Sequence, residues 1–81
     1  MEYRHDLFRW RRDKLGDTYD RIADRCDLSK NTVYLIIEGK TNPTASSINE
    51  ISRALLLDPK YALDFNLQER QFRRAVVATA R

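Results

Sequence analysis

The 81-residue chain carries a net charge of +3 and contains one cysteine, two glycines and two prolines. One cysteine excludes an intrachain disulfide, the charged N-terminal stretch lacks the apolar centre of a signal peptide, and no segment has the length of a transmembrane helix. We therefore expect one cytoplasmic domain made of helices with short connections.

The first predicted helix spans residues 3–14. Tyr3, Leu7 and Trp10 recur at helical spacing, with Phe8 and Leu15 on a neighbouring line, so they form one apolar face. The remaining positions carry a basic cluster: Arg4, Arg9, Arg11, Arg12 and Lys14. This cluster suits either contact with phosphates or a solvated helix face, since acidic residues within the same helix partly neutralise it.

The next stretch has the layout of a helix, a tight turn and a second helix. Thr18 is a good N-cap for a helix over residues 19–26, in which Ile22 and Cys26 belong to one buried stripe. Asp27 tolerates the left-handed backbone conformation that the turn requires.

The second helix of this pair is predicted over residues 30–38. Ser29 can cap it, Gly39 ends it, and Val33 with Ile36 or Ile37 would face inward. Such a helix-turn-helix offers the first turns of its second helix to the major groove of DNA.

These residues resemble the lambda-repressor-like, Cro/CI-type helix-turn-helix family, also called the XRE family. The resemblance covers roughly residues 8–63, and the matching residues in its central part are Thr18, Ile22, Ala23, Leu28, Ser29, Thr32, Val33, Ile36, Gly39, Lys40, Asn42 and Pro43. The resemblance implies an all-α, compact five-helix DNA-binding domain.

Two positions depart from the family pattern. The family often has Gln at the start of its first motif helix, where it braces DNA phosphates, and here that residue is Tyr19. It also often has Glu near the end of the recognition helix, paired with an Arg of the first helix. Here Ile37 stands at that position with Glu38 beside it, so Arg12 would pair elsewhere or lie exposed.

Four residues of the second motif helix are candidates for base contacts. Lys30 can donate to guanine, and Asn31 can form a bidentate pair with adenine. Tyr34 could reach a base edge or a phosphate, and an exposed Leu35 would suit a thymine methyl. The alternatives are that Lys30 and Asn31 only start the helix well, and that Tyr34 or Leu35 is buried.

The loop after this helix offers a cation, a hydroxyl and an amide, which together suit a phosphate. The full set of predicted phosphate contacts is Arg12, Thr18, Tyr19, Thr32, Lys40, Thr41 and Asn42.

The following segment predicts two more helices. Thr44 can cap a fourth helix that begins near Ala45 and has an apolar stripe of Ile48, Ile51, Ala54 and Leu55. Asp58 and Pro59 are a cap followed by a proline at the first helical position, so a short fifth helix is expected over residues 59–64.

Residues 66–81 are predicted to be a C-terminal element outside the domain of residues 1–65. Asn66 and Glu69 have the spacing of a capping box, which favours a sixth helix over residues 67–79. One face of that helix would carry Phe72, Ala75, Val76 and Thr79. This face suits either a dimer interface or packing onto the first helix near Trp10.

The sequence thus favours a sequence-specific transcriptional regulator of double-stranded DNA. We expect a repressor that acts as a homodimer on an inverted-repeat operator, as in small phage repressors, Cro-like proteins and controller proteins, located at the bacterial nucleoid or encoded by a phage or mobile element. The alternative is a protein-interaction adaptor that uses a helix-turn-helix frame, such as an antitoxin or an accessory factor for recombination or polymerase.

An enzyme is not expected, because no cluster of His, Cys and carboxylates has ligand spacing and no nucleophile–base pair is evident. We expect no metal or other cofactor, no membrane contact and no small-molecule ligand.

Overall fold

The computed structural model describes residues 1–77. Within these residues the chain forms four α-helices and two 3₁₀ helices and has no β-strand, which confirms the all-α class. The elements are α1 (His5–Leu15), α2 (Tyr19–Asp24), α3 (Lys30–Ile37), α4 (Ala45–Ala54), a first 3₁₀ helix (Pro59–Leu63) and a second 3₁₀ helix (Glu69–Ala75). No helix in this range is long and apolar enough to cross a membrane.

Side-chain caps start the helices where the sequence predicts. The hydroxyl oxygens of Thr18, Ser29 and Thr44 each accept a hydrogen bond from the backbone N–H three residues later, at 3.2 Å in every case. The carboxylate of Asp58 accepts from the backbone N–H of Lys60 at 3.1 Å. A cap of this kind contributes about 1 kcal/mol to stability, and it fixes the residue at which each helix begins.

One hydrophobic core joins all the helices. In it α2 packs on α3, α1 contacts α3 and the first 3₁₀ helix, and α4 contacts α2 and the first 3₁₀ helix. The fully enclosed large side chains include Leu7, Phe8, Ile22, Val33, Ile36, Ile37, Ile48, Ile51, Leu55, Leu57 and Phe72. The predicted stripes of α3 and α4 are therefore confirmed, with both Ile36 and Ile37 buried.

The N-terminal helix is shorter at its start than predicted. α1 begins at His5, and Tyr3 precedes it in non-helical backbone. Tyr3 nevertheless belongs to the core, because its ring is buried and its hydroxyl donates to the backbone carbonyl of Ile36. Leu15, predicted on the apolar face, is exposed at the C-terminal end of the helix.

The last two predicted helices are 3₁₀ helices. The second of them begins after Gln68, whose backbone N–H donates to the side chain of Gln71 at 3.0 Å, so the predicted cap at Asn66 is wrong. It ends at Ala75, and Val76 then forms an antiparallel bridge with Leu57. Thr79, at the predicted end of the sixth helix, lies outside the described residues.

The 3₁₀ geometry is compatible with close packing of this segment. Residues three apart lie on the same side of a 3₁₀ helix, which places Phe72 and Ala75 together against the core. Both are buried, and the ring of Phe72 meets that of Trp10 edge-on with centroids 5.5 Å apart. The segment after residue 65 therefore packs against α1 near Trp10, the second of the two arrangements expected from the sequence.

This packing occupies two of the four residues on the face that was predicted as a possible dimer interface. Phe72 and Ala75 are enclosed by their own chain, and Val76 is half-buried against the same core. With this packing, Phe72 and Ala75 are not accessible to a second copy of the chain.

Removing the Phe72 ring should destabilise the whole domain. We expect Phe72→Ala to lower the free energy of unfolding by about 3–5 kcal/mol, because it leaves a cavity beneath Trp10. Arg74→Ala, at an exposed position of the same segment, should change it by about 0.5 kcal/mol or less. Urea unfolding followed by circular dichroism measures both. Equal stability of the two variants would show that the segment is not part of the core.

Candidate nucleic-acid interface

The helix-turn-helix presents the first turn of α3 to solvent. Lys30 and Asn31 are both exposed there, while Val33, Ile36 and Ile37 hold the opposite side of the helix in the core. The ammonium group of Lys30 lies 3.5 Å from a carboxylate oxygen of Asp20, and both side chains are about two-thirds exposed (63% and 67%). An ion pair in this setting contributes little to stability, so Lys30 can exchange Asp20 for another acceptor at small cost.

The other two predicted base-contacting residues are only partly exposed. Tyr34 and Leu35 are both half-buried. The ring of Tyr34 packs edge-on against that of Tyr19, with centroids 5.3 Å apart, and its hydroxyl accepts a hydrogen bond from the ammonium group of Lys40 at 3.2 Å. Tyr34 and Lys40 therefore form one unit that links α3 to the loop after it.

That loop is held in place by a close contact with α1. Gly39 has a φ of +71°, a left-handed conformation, and a Cβ built on it would lie 2.7 Å from the imidazole ring of His5. Glycine is therefore required here for both its backbone freedom and its lack of a side chain. The following residues Lys40, Thr41 and Asn42 are all exposed, and Asn42 accepts a hydrogen bond from the amino group of Met1.

Two of the three threonines that are predicted to contact phosphates also have local roles. The Thr18 hydroxyl caps α2, and the Thr32 hydroxyl accepts a hydrogen bond from Ser29 at 2.9 Å. Thr18 is exposed and Thr32 is half-buried. A hydroxyl that accepts one hydrogen bond can still donate its proton, so these bonds are compatible with phosphate contact.

Tyr19 and Arg12 lie in a polar cluster between three helices. The Tyr19 hydroxyl donates to a carboxylate oxygen of Glu38 at 2.5 Å, and the guanidinium carbon of Arg12 lies 4.1 Å from the centre of the Tyr19 ring. A guanidinium nitrogen of Arg9 approaches the second carboxylate oxygen of Glu38 at 3.6 Å. We call these four residues, Arg9, Arg12, Tyr19 and Glu38, the Tyr19–Glu38 cluster.

This cluster takes the place of the direct Arg–Glu pair of the resembled family. Ile37, at the position where the family often has Glu, is fully buried and leaves no room for a charge. Glu38, one residue later, is reached by the Tyr19 hydroxyl, while Arg12 stacks on the ring of the same tyrosine. Tyr19 therefore bridges the cation of α1 and the carboxylate that follows α3. Its contact with a phosphate stays a prediction, as does that of Arg12.

Neither Arg9 nor Glu38 was predicted to be part of this cluster. The clue in the sequence is that Glu38 directly follows α3, the helix against which Tyr19 packs. Its partner is 19 residues earlier in the chain, and no local spacing rule connects them.

The cluster shifts the pKa values of its acidic members. The hydrogen bond from Tyr19, supported by the charges of Arg9 and Arg12, lowers the pKa of Glu38. Burial, followed by the hydrogen bond to Glu38, raises the pKa of Tyr19. At neutral pH the carboxylate is thus ionised and the phenol protonated, the states in which this hydrogen bond forms.

Comparison with known proteins identifies the same region. A family model described as Helix-turn-helix matches residues 8–61, more than half of the 81-residue chain. The match runs from Phe8 in α1 to Tyr61 in the first 3₁₀ helix and so includes α2, α3 and the loop after them. No curated protein and no solved structure matches the chain.

The lowered pKa of Glu38 makes part of the stability dependent on pH. Because this pKa is lower in the folded than in the unfolded chain, the ionised carboxylate stabilises the fold above the unfolded-state pKa. That contribution is lost as the pH falls through the folded-state pKa. We expect the difference in unfolding free energy between wild type and Glu38→Gln to shrink as the pH falls from about 5 to about 3.

Urea titrations at a series of pH values measure this difference. Tyr19→Phe removes the donor, so its stability should depend less on pH than that of the wild type over the same interval. Parallel curves for wild type and Glu38→Gln would contradict a role for the hydrogen bond in holding the carboxylate ionised.

Proposed function

The chain belongs to the XRE family of Cro/CI-like, DNA-binding helix-turn-helix proteins, and we propose that it is a sequence-specific transcriptional regulator of double-stranded DNA. In this proposal it is a repressor that blocks a promoter by occupying an operator, and it works in the cytoplasm on the DNA of a bacterium, a phage or a mobile element. The observation that carries the proposal is the exposed first turn of α3 on a firmly packed helix-turn-helix.

Base recognition is assigned to the first turn of α3. Lys30 would donate to guanine O6 and N7, and Asn31 would pair with adenine N6 and N7. Both side chains are exposed, and they lie in the first turn of α3, which is the end of the helix that enters the groove first. Tyr34 and Leu35, which are half-buried, would add contacts at the edge of this surface, Leu35 to a thymine methyl.

Backbone contacts are assigned to the residues that flank α3. Lys40, Thr41 and Asn42 are exposed on the loop after Gly39, and Thr18 and Thr32 lie at the starts of α2 and α3. Helix N-termini attract phosphate because their backbone N–H groups and dipole favour negative charge. Contacts of this kind fix the register of the protein on the duplex without reading its sequence.

We propose a homodimer because one copy offers few base contacts. Each good bidentate pair supplies about 1–3 kcal/mol of discrimination, and two copies on a two-fold symmetric operator double their number. The dimensions of the chain, 33 × 29 × 20 Å, suit one copy for each half-site at the spacing of about 34 Å that one duplex turn imposes. Leu63 and Phe65 are exposed and offer apolar surface to a second copy.

Substitutions in α3 and in the loop should have different effects on DNA binding. On a duplex enriched from a random pool, Lys30→Ala and Asn31→Ala should each relax preference at particular base pairs, at a cost of about 1–3 kcal/mol. Lys40→Ala should weaken binding to all sequences alike and reduce the salt dependence by about one counterion.

Fluorescence anisotropy with the selected duplex and its single-base-pair variants, at several salt concentrations, separates these effects. Arg74→Ala, outside the helix-turn-helix, is the matched control and should bind as the wild type does. If Asn31→Ala kept both the affinity and the base preference of the wild type, α3 would not be the element that reads the sequence.

A further inference from the structure

A basic cleft lies between α1 and the C-terminal segment. It is lined by Trp10, Arg11, Lys14, Arg73 and Val76, and its volume is about 410 Å³. Three of its five residues are cations and the other two are apolar, and none is a carboxylate. The proposed DNA contacts use none of these residues.

The cleft faces away from the helix-turn-helix. Successive residues of an α-helix are rotated by about 100°, so Trp10, Arg11 and Lys14 lie on the side of α1 opposite to Arg9 and Arg12. Arg9 and Arg12 are the two that reach the Tyr19–Glu38 cluster. A duplex bound at α3 would therefore leave the cleft open.

The cations of the cleft lack acidic partners among residues 1–77, where no carboxylate lies within 4.0 Å of Arg11, Lys14 or Arg73. Arg11 is also fixed in position, since its Nε donates to the backbone carbonyl of Leu55 at 2.9 Å. Burial lowers the pKa of this half-buried guanidinium, and the charge of Asp17 opposes that effect only in part. An incoming carboxylate would further stabilise the charged form.

The charges around Trp10 restrict which kind of anionic ligand can bind in the basic cleft. On its other side Trp10 borders a second cleft that is lined by one cation, Arg9, and by three carboxylates, those of Asp6, Asp13 and Glu69. A nucleic-acid strand needs a continuous positive path for its phosphates, and these carboxylates interrupt it. A short peptide can place its acidic side chains on the cations and an apolar side chain against Trp10 and Val76.

We propose that the basic cleft binds a partner protein through a short acidic segment that carries an apolar side chain. Because the cleft and α3 lie on opposite sides of α1, one copy can hold DNA and this partner together. This binding of a partner protein is separate from the proposed DNA binding, and the experiment that tests it uses no DNA.

The sole tryptophan of the chain is Trp10, so its fluorescence reports directly on the cleft. The probe is a Trp-free synthetic peptide with glutamates on both sides of a central leucine, and its control replaces each glutamate with glutamine. We expect the acidic peptide to change the Trp10 emission saturably and the glutamine peptide to bind at least about tenfold more weakly, because charge-assisted hydrogen bonds are lost.

Charge reversal tests the assignment to particular residues. Lys14→Glu combined with Arg73→Glu should weaken binding of the acidic peptide by about tenfold or more. Arg74→Glu is the matched control for the Arg73→Glu change alone, since it reverses one charge at the neighbouring exposed position outside the cleft, and it should keep most of the affinity.

Four results would overturn the proposal. The first is that the glutamine peptide binds as tightly as the acidic peptide. The second is that Arg74→Glu loses as much affinity as the double variant. The third is that Trp10 responds to single-stranded DNA but not to the acidic peptide. The fourth is self-association in sedimentation that the double variant abolishes while the peptide does not bind, which would assign the cleft to a second copy of the chain.

Discussion

The helix-turn-helix depends on the tertiary contacts that hold the short helix α3 in position. α3 has eight residues, and an isolated helix of that length is not stable in water. Its position therefore comes from tertiary contacts: the burial of Val33, Ile36 and Ile37, and the hydrogen bond from Tyr19 to Glu38 just after the helix. The same packing leaves Lys30 and Asn31 exposed at the other end of the helix.

α1 separates two surfaces of different character. On one side Arg9 and Arg12 join the Tyr19–Glu38 cluster and support the helix-turn-helix. On the other side Trp10 contacts Phe72 of the C-terminal segment and borders the basic cleft. Basic residues that look like one cluster in the sequence therefore belong to two different surfaces, because the helical rotation directs them to opposite sides.

The sequence predicted the features that depend on local chemistry. Caps at Thr18 and Ser29 and the left-handed Gly39 follow from interactions within a few residues, and the structure has them as predicted. The C-terminal segment was predicted as an α-helix and is a 3₁₀ helix, and its packing depends on the contact of Phe72 with Trp10, a residue far away in sequence. The Tyr19–Glu38 bond escaped prediction for the same reason.

The decisive measurement of whether α3 reads DNA sequence is the selection of binding sites from a random duplex pool, repeated at two salt concentrations. A dimer that reads DNA with the first turn of α3 should enrich an inverted repeat whose half-sites are centred about one duplex turn apart, and its affinity should fall steeply as salt rises. Enrichment of no sequence, with only weak and salt-sensitive binding, would contradict the assignment of this chain as a sequence-reading regulator.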